Sequence, residues 1–384
     1  MLFSLIEKGQ ATETYRPETS VAGFIQLPGS GRQVYNFNPG WRFFKGDIHG
    51  AESVDFDDRS WTIVSTPHTV ELMPAEASGC RNYQGPAWYR KHFVLPAETK
   101  GKRVLIHFEA AMGKQVLYLN GKRIQEHVGG YLPFTLDLTT NGIQAGDSCL
   151  LAIFVDNSND KSFPPGKPQY TLDFAYHGGI YRDVWMIAKS PVSITDPLDS
   201  QTVAGGGVFV HFDKISEKSA QVYVNTELQN DNQHTETVTV ETTLTDADGK
   251  VIKRTSGKLS LKSGEKKIIR QQIEVKSPKL WSPDAPYLYK VQSRIKKGNQ
   301  SIDGGITRIG IRLAEFRGKD GFWLNGKPFV QLVGANRHQD FAYVGNALPN
   351  SQQWRDAKRL RDAGCTIIRV AHYPQDPSFM DACD

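Results

Sequence analysis

Cysteine is scarce: Cys80, Cys149, Cys365 and Cys383 are the 4 cysteines in 384 residues. They form no CxxC pair and none stands beside histidines at zinc-ligand spacing, which argues against a zinc ribbon or finger and against a disulfide-dense scaffold. Buried free thiols are the favoured reading, with a Cys80 to Cys149 disulfide as the alternative, so the redox compartment stays open. Long apolar runs are missing too. None approaches the roughly 18 residues that a bilayer-spanning helix needs, so no membrane span is expected. Charge of one sign is not concentrated either: 46 basic and 41 acidic residues are interspersed for a net +5. There is no basic block and no nucleic-acid motif, and nucleic acid is not an expected partner. The opening MLFSLIEKGQ places Glu7 and Lys8 inside its apolar stretch, which leaves the h-region too short for a complete signal peptide. Localisation is left open between cytoplasmic and, with a leader already removed, periplasmic or secreted.

What is present is enough apolar sequence for sizeable cores, 39% of the chain. At about 100–200 residues per domain the length suits three domains. From about Val34 to Ile187, short alternating runs such as AWYRKHFVL, KRVLIHFEA and CLLAIFVDN are punctuated by Gly, Pro, Asn and Asp. Period-2 alternation of this kind predicts antiparallel strands, and Asn120-Gly121 predicts a tight type I′ hairpin because both residues tolerate positive φ. The expectation is a jelly-roll β-sandwich over residues 31–190. Within it Trp88 alternates with Tyr89, so one of the two is expected inside. Over residues 191–314 the texture shifts to Thr- and Val-rich strands, with Asp248-Gly249 closing one hairpin. That pattern predicts an immunoglobulin-like sandwich whose role is scaffolding. Trp281 is expected to anchor domains to one another.

The period changes again over residues 315–384. PFVQLVGAN reads as a continuous apolar strand, and Asn350 with Gln353 three residues on reads as a helix cap. Gly364 ends that helix, and CTIIRVAHY reads as a second buried strand. Strand, helix and strand with apolar strands is the opening of a parallel α/β structure. Each strand ends in polar chemistry: Asn336, Arg337 and His338 on the first, Arg369 and His372 on the second. In a (β/α)8 barrel the carboxyl ends of the strands carry the site. Arg369, inside TIIRVA, is expected to be buried and therefore to need an anionic partner. The 69 residues from Phe316 to Asp384 are far short of the roughly 250 of a barrel, so the sequence is expected to stop inside one.

These residues also carry a resemblance. GANRHQD followed by RDAKRLRDAGCTIIRVAHYPQDPSFMDACD resembles the first two barrel strands of glycoside hydrolase family 2, the family of β-galactosidases, β-glucuronidases and β-mannosidases. NYQGPAWYRKHF, FAYHGGIYRDVWM, LWSPDAPYLY and RIGIR resemble that family in the same order, from about Tyr35 onward. The resemblance implies a jelly-roll sugar-binding domain, an immunoglobulin-like domain and the start of a (β/α)8 catalytic barrel. It implies retaining hydrolysis of terminal β-linked sugars by two glutamates on later barrel strands, so no catalytic residue is assigned here and the chain alone is expected to be inactive. By the same resemblance Asp173, Arg337, His338, Arg369 and His372 are substrate-binding candidates, with a carbohydrate as partner and a β-galactosidase as the expected member. No metal-ligating set is assigned, although sodium or magnesium is implied for a full-length enzyme, as is a homo-oligomer. The competing expectations are a β-glucuronidase or β-mannosidase relative, or a non-catalytic carbohydrate-binding or assembly fragment. Asn82 stands in a loop that the resemblance aligns only loosely with the pocket, and Tyr83, Trp88, Phe174, Tyr176 and Tyr181 are read as sandwich core rather than as sugar-stacking ligands.

Overall fold

The computed structural model describes residues 26–73, 82–203, 205–329 and 331–384. The first domain is two antiparallel sheets face to face. One runs Thr62–Val64, Trp41–Lys45, Pro86–Val94, Ser148–Asp156, Lys114–Leu119, Lys122–Val128 in spatial order, and the other Gln33–Asn36, Val184–Lys189, Arg103–Phe108, Phe134–Asp137. Their inward side chains, Trp41, Tyr89, Ile106, Phe108, Leu117, Ile153 and Val184 among them, form one core. Asn120 and Gly121 have φ of 49° and 79°, and Leu119 pairs with Lys122 across them, as the tight-turn expectation requires.

The alternation argument fails at Trp88 and Tyr89, because both are buried. Tyr89 faces the sandwich core, while Trp88 packs outward against Ala51, Trp61 and Ala152. The loop from Asp47 to Trp61 covers the outer face of this sheet. That cover also buries Arg90, whose Nε donates to Asp58 Oδ2 at 2.7 Å and whose Nη1 donates to the Ser53 carbonyl at 2.9 Å. Cys149 is a buried free thiol, pushed up to about 11 chiefly by burial. Cys80 lies outside the described residues, and the disulfide alternative with it.

The middle domain is a second sandwich of two four-stranded sheets. Val192–Ile194, Ser219–Asn230, Val208–Asp213 and Lys266–Lys276 make one; Val251–Leu261, Glu236–Thr245, Tyr289–Lys297 and Gln300–Ile309 make the other. Val222, Val224, Leu244, Ile273 and Val291 fill the space between them. A buried ion pair ties it to the first domain: Arg32 Nε and Nη2 donate to Asp303 Oδ1 and Oδ2 at 2.8 Å each. Asp303 Oδ2 also accepts from the Ile194 amide at 2.8 Å. Trp281 acts as the anchor its position suggested. Its carbonyl accepts from Asn325 Nδ2 at 2.9 Å and its Nε1 donates to the Asp384 carbonyl at 2.5 Å.

After a small antiparallel sheet of Ala314–Phe316, Phe322–Leu324 and Lys327–Pro328, the strands Gly334–Arg337 and Ile367–Val370 pair in parallel, with Asn336 opposite Arg369. The helix Asn350–Asp362 connects them and Pro377–Cys383 follows. Gly364, at φ 88°, reverses the chain after the first helix. The helix start differs from expectation. Pro349 is the N-cap residue and no side chain caps it; Asn350 instead donates from Nδ2 to Asp183 Oδ2 of the first domain at 2.9 Å. The strands also differ, being largely exposed. Among the described residues neither has a second neighbouring strand, and a parallel pair is covered only where such neighbours and helices flank it.

Candidate functional site

Two loops of different domains meet at the carboxyl ends of the parallel strands. The barrel loop after Arg337 is stitched to the first domain: Met73 N donates to the Tyr343 carbonyl at 3.1 Å and Tyr343 N to the Met73 carbonyl at 2.6 Å. Asn346 Oδ1 accepts from the His177 amide at 2.9 Å. Gly345, at φ 53°, sits so close to His177 that a Cβ would fall 2.3 Å from the ring. On the other side, the GGIYRDV segment depends on Gly179. Its φ is 123°, and a Cβ there would stand 2.4 Å from the His68 carbonyl oxygen, so a side chain at this position is excluded on both counts. These contacts bring the Asp173-Phe174 loop over the strand ends.

At that mouth the Phe174 ring stacks on His338, centroids 5.1 Å apart and planes at 17°. His372 meets the same imidazole edge-on at 5.4 Å and 79°. Tyr373 closes the floor, its ring stacked on Tyr131 at 4.2 Å and 10° and its hydroxyl 3.4 Å from His338 Nδ1. Burial in the first place pushes His338 below the ordinary imidazole value, as the charges of His372 and Arg369 do, while Asp340 and Asp173 pull it upward. Those charges mark the groups that surround it. The result is a neutral imidazole at neutral pH, with one donor and one acceptor nitrogen. Asp173 is exposed and presents an acceptor-only carboxylate. Arg369 presents donors, while Phe174 is buried against the two imidazoles. Donors and acceptors set side by side suit a molecule with vicinal hydroxyls.

Asp173, His338, Arg369 and His372 are thus brought together, and Arg337 is not. Its guanidinium is buried behind the first strand, lying 4.0 Å from the Phe379 ring centroid. Nη2 donates to Gln353 Oε1 at 2.7 Å and to Asp356 Oδ2 at 2.8 Å, and Nη1 donates to Gln375 Oε1. It locks the strand to the two helices. Arg369 corrects the expectation in the opposite sense: it is exposed, its Nη1 donating to Asn336 Oδ1 at 3.3 Å, so no buried acid has to be found for it. Tyr176, Tyr181 and Asn82 are buried, Asn82 Nδ2 donating to the Tyr176 carbonyl at 3.2 Å; Phe174 is buried as well, its ring stacked on His338 at the mouth. Sequence reasoning missed Tyr373. The period-2 rule applied to AHYP would have placed Tyr373 on the face opposite His372, towards the first domain.

A cation beside Asp173 would need several further oxygen donors. Among the described residues no group of three or more His, Cys, Asp and Glu side chains comes together as a metal-binding set.

A jelly-roll sandwich, an immunoglobulin-like sandwich and the opening of a parallel barrel, with polar residues gathered at the strand ends, define the class: a multidomain protein of two β-sandwiches joined to a parallel α/β unit. Three sequence models of one family match in order. They are described as glycosyl hydrolases family 2, sugar binding domain, over residues 51–191; glycosyl hydrolases family 2 over 206–312; and glycosyl hydrolases family 2, TIM barrel domain, over 316–384. The chain belongs to glycosyl hydrolases family 2. A β-galactosidase of Thermoanaerobacter pseudethanolicus is 36% identical over 360 residues, covering 92% of this chain and 45% of the relative. A β-glucuronidase of Formosa agariphila is 34% identical over 93% of this chain and 38% of the relative. A solved β-glucuronidase of Bacteroides uniformis superposes with a TM-score of 0.82 at 31% identity, over 92% of this chain and 41% of that one. The chain spans less than half the length of each of these. No helix of the described residues is long and apolar enough to cross a membrane.

Proposed function

We propose that the mouth formed by Asp173, Phe174, His338, Arg369 and His372 is the outer wall of a sugar pocket. The protein to which this chain contributes is then a retaining glycosidase acting on terminal β-linked sugars, a β-galactosidase in particular. The observation that carries the reading is the convergence of a carboxylate, a guanidinium and two imidazoles from two domains at the carboxyl ends of parallel strands. Galactoside is favoured by Asp173, six residues before Gly179 in the motif shared with the family, and by the 36% identical β-galactosidase.

Retaining hydrolysis needs two carboxyl groups about 5–5.5 Å apart across the scissile bond. No glutamate follows Glu315 in this sequence, and Glu315 accepts from Arg317 Nη2 at 2.7 Å on the small sheet that precedes the barrel strands. The catalytic pair is accordingly placed outside these 384 residues, and the chain by itself is silent. The test is nitrophenol release by the purified chain from β-galactoside, β-glucuronide, β-mannoside and β-glucoside. The expected result is none. Release from any of the four, lost in Asp173→Asn, would place the catalytic carboxylates within the chain and overturn this assignment.

A further inference from the structure

His338 meets three rings and one hydroxyl, and that hydroxyl decides which of its nitrogens carries the proton. Tyr373 Oη accepts from the Gln339 amide at 3.3 Å and lies 3.4 Å from His338 Nδ1. Among the described residues these are the two polar contacts of that oxygen. The phenol is buried and its ring is fixed against Tyr131 at 4.2 Å, so the hydroxyl has little freedom to turn elsewhere.

Two arrangements are conceivable. If Nδ1 carried the proton, the phenol would accept twice and its own O–H would be left buried without an acceptor, at a cost of about 1–3 kcal/mol. If Nδ1 is bare, the Gln339 amide donates to the phenol, the phenol donates to Nδ1, and every group is satisfied. The second arrangement wins by that margin, roughly fivefold or more in population.

We propose that Tyr373 is a positioning residue that holds His338 in the tautomer protonated at Nε2, with that N–H presented to the mouth. The assignment rests on the sugar-pocket reading only for its purpose. The phenol occupies the Nδ1 side of the ring, Phe174 covers a face at 5.1 Å and His372 abuts it at 5.4 Å. The Nε2 side remains for a ligand. A fixed donor there, beside the acceptor Asp173, lets the mouth read a hydroxyl that must accept from one group while donating to the other. The depression of His338 by burial agrees with a neutral ring held in one form.

The test is nitrogen-15 spectroscopy of the imidazoles in the histidine-labelled 384-residue chain, with His338 assigned through the signal lost in His338→Gln. The wild type is expected to show an unprotonated Nδ1 and a protonated Nε2. Tyr373→Phe keeps the ring stack and removes the hydroxyl, and should move His338 to a mixture of tautomers. A protonated Nδ1 in the wild type overturns the inference whether or not the variant folds, and so does a His338 signal unchanged in a folded Tyr373→Phe. Methyl β-galactoside that fails to shift Nε2 would count against the sugar-pocket reading and leave the tautomer assignment standing.

Discussion

Arg182→Met should destabilise the contact between the first domain and the barrel strands by about 3–5 kcal/mol, the cost typical of stripping one partner from a buried charge cluster. Arg182 is 3% exposed. Its Nη2 donates to the Gln339 side-chain oxygen at 3.0 Å and the Pro374 carbonyl at 2.7 Å, while Nε lies 3.9 Å from Asp376 Oδ2. Around it are the buried carboxyls of Glu109, Asp183 and Asp376. Without the guanidinium these acids face one another in a poorly solvated seam, the Pro374 carbonyl loses its side-chain donor, and Gln339 Oε1 keeps only the Asp376 amide at 3.2 Å. Arg59 provides the contrast. It pairs with Asp57 at 2.7 Å, yet the two side chains are 84% and 60% exposed, so Arg59→Met should change little. Urea unfolding read by hydrogen exchange over residues 371–383 would report both. A loss below about 1 kcal/mol in Arg182→Met would mean that the seam is hydrated and the cluster is not a buried network.

The same cluster makes stability depend on pH with a definite sign. Burial, then the charge of Asp376, raises Asp183 from 3.8 to about 6, against the hydrogen bonds from Asn350 and Asn38. Burial, with Asp376 and Asp183 nearby, holds Glu109 well above the usual carboxylate range, and burial raises Asp376. A carboxyl whose folded pKa is raised binds a proton that the unfolded chain has already released. Its contribution is most favourable below about pH 4 and is lost as pH rises through about 6, by about 3 kcal/mol for Asp183. Glu109 extends the window upward.

Histidines oppose this trend. Burial depresses both His68 and His107 from 6.5 to about 4, and such groups add stability as pH rises over much the same interval. The acid term must therefore be read as a difference. Between pH 4 and pH 7 the wild type should lose about 2 kcal/mol relative to Asp183→Asn, in paired denaturant unfolding curves. A difference that stays flat, or that moves in favour of the wild type, would show that Asp183 is ionised in the folded protein.

The periodic features of this molecule were legible in its sequence because each depends on neighbours along the chain. Asn120 and Gly121 make their turn locally, and the parallel pair follows from two short apolar strands around one helix. The failures share a different cause. Whether Trp88 or Arg90 is buried is decided by the loop ending at Trp61, which lies on the outer face of their sheet; alternation cannot report a covering loop. Arg337 and Arg369 look alike in sequence, each set in an apolar strand. Arg337 falls on the side that the two helices cover, where Asp356 and Gln375 await it, and Arg369 on the side that is open. Asn350 resembles a helix cap by type, but Asp183 competes for its side chain from a domain 167 residues away. Glu109, Asp183 and Asp376 are far apart in the chain, so their cluster exists only after folding. At the mouth, the family motif pointed to His338 and His372, whereas Tyr373 acquires its role from a hydrogen bond to a residue 35 positions earlier.

The central claim, that two domains share one sugar-binding mouth, is tested most directly by titrating methyl β-galactoside into the labelled chain while following the His338 and His372 imidazoles. The account predicts saturable shifts at both rings, weakened at least tenfold by Asp173→Asn, as expected for loss of a hydrogen bond to a charged acceptor. Absence of shifts at both rings, or equal shifts in Asp173→Asn, would contradict it.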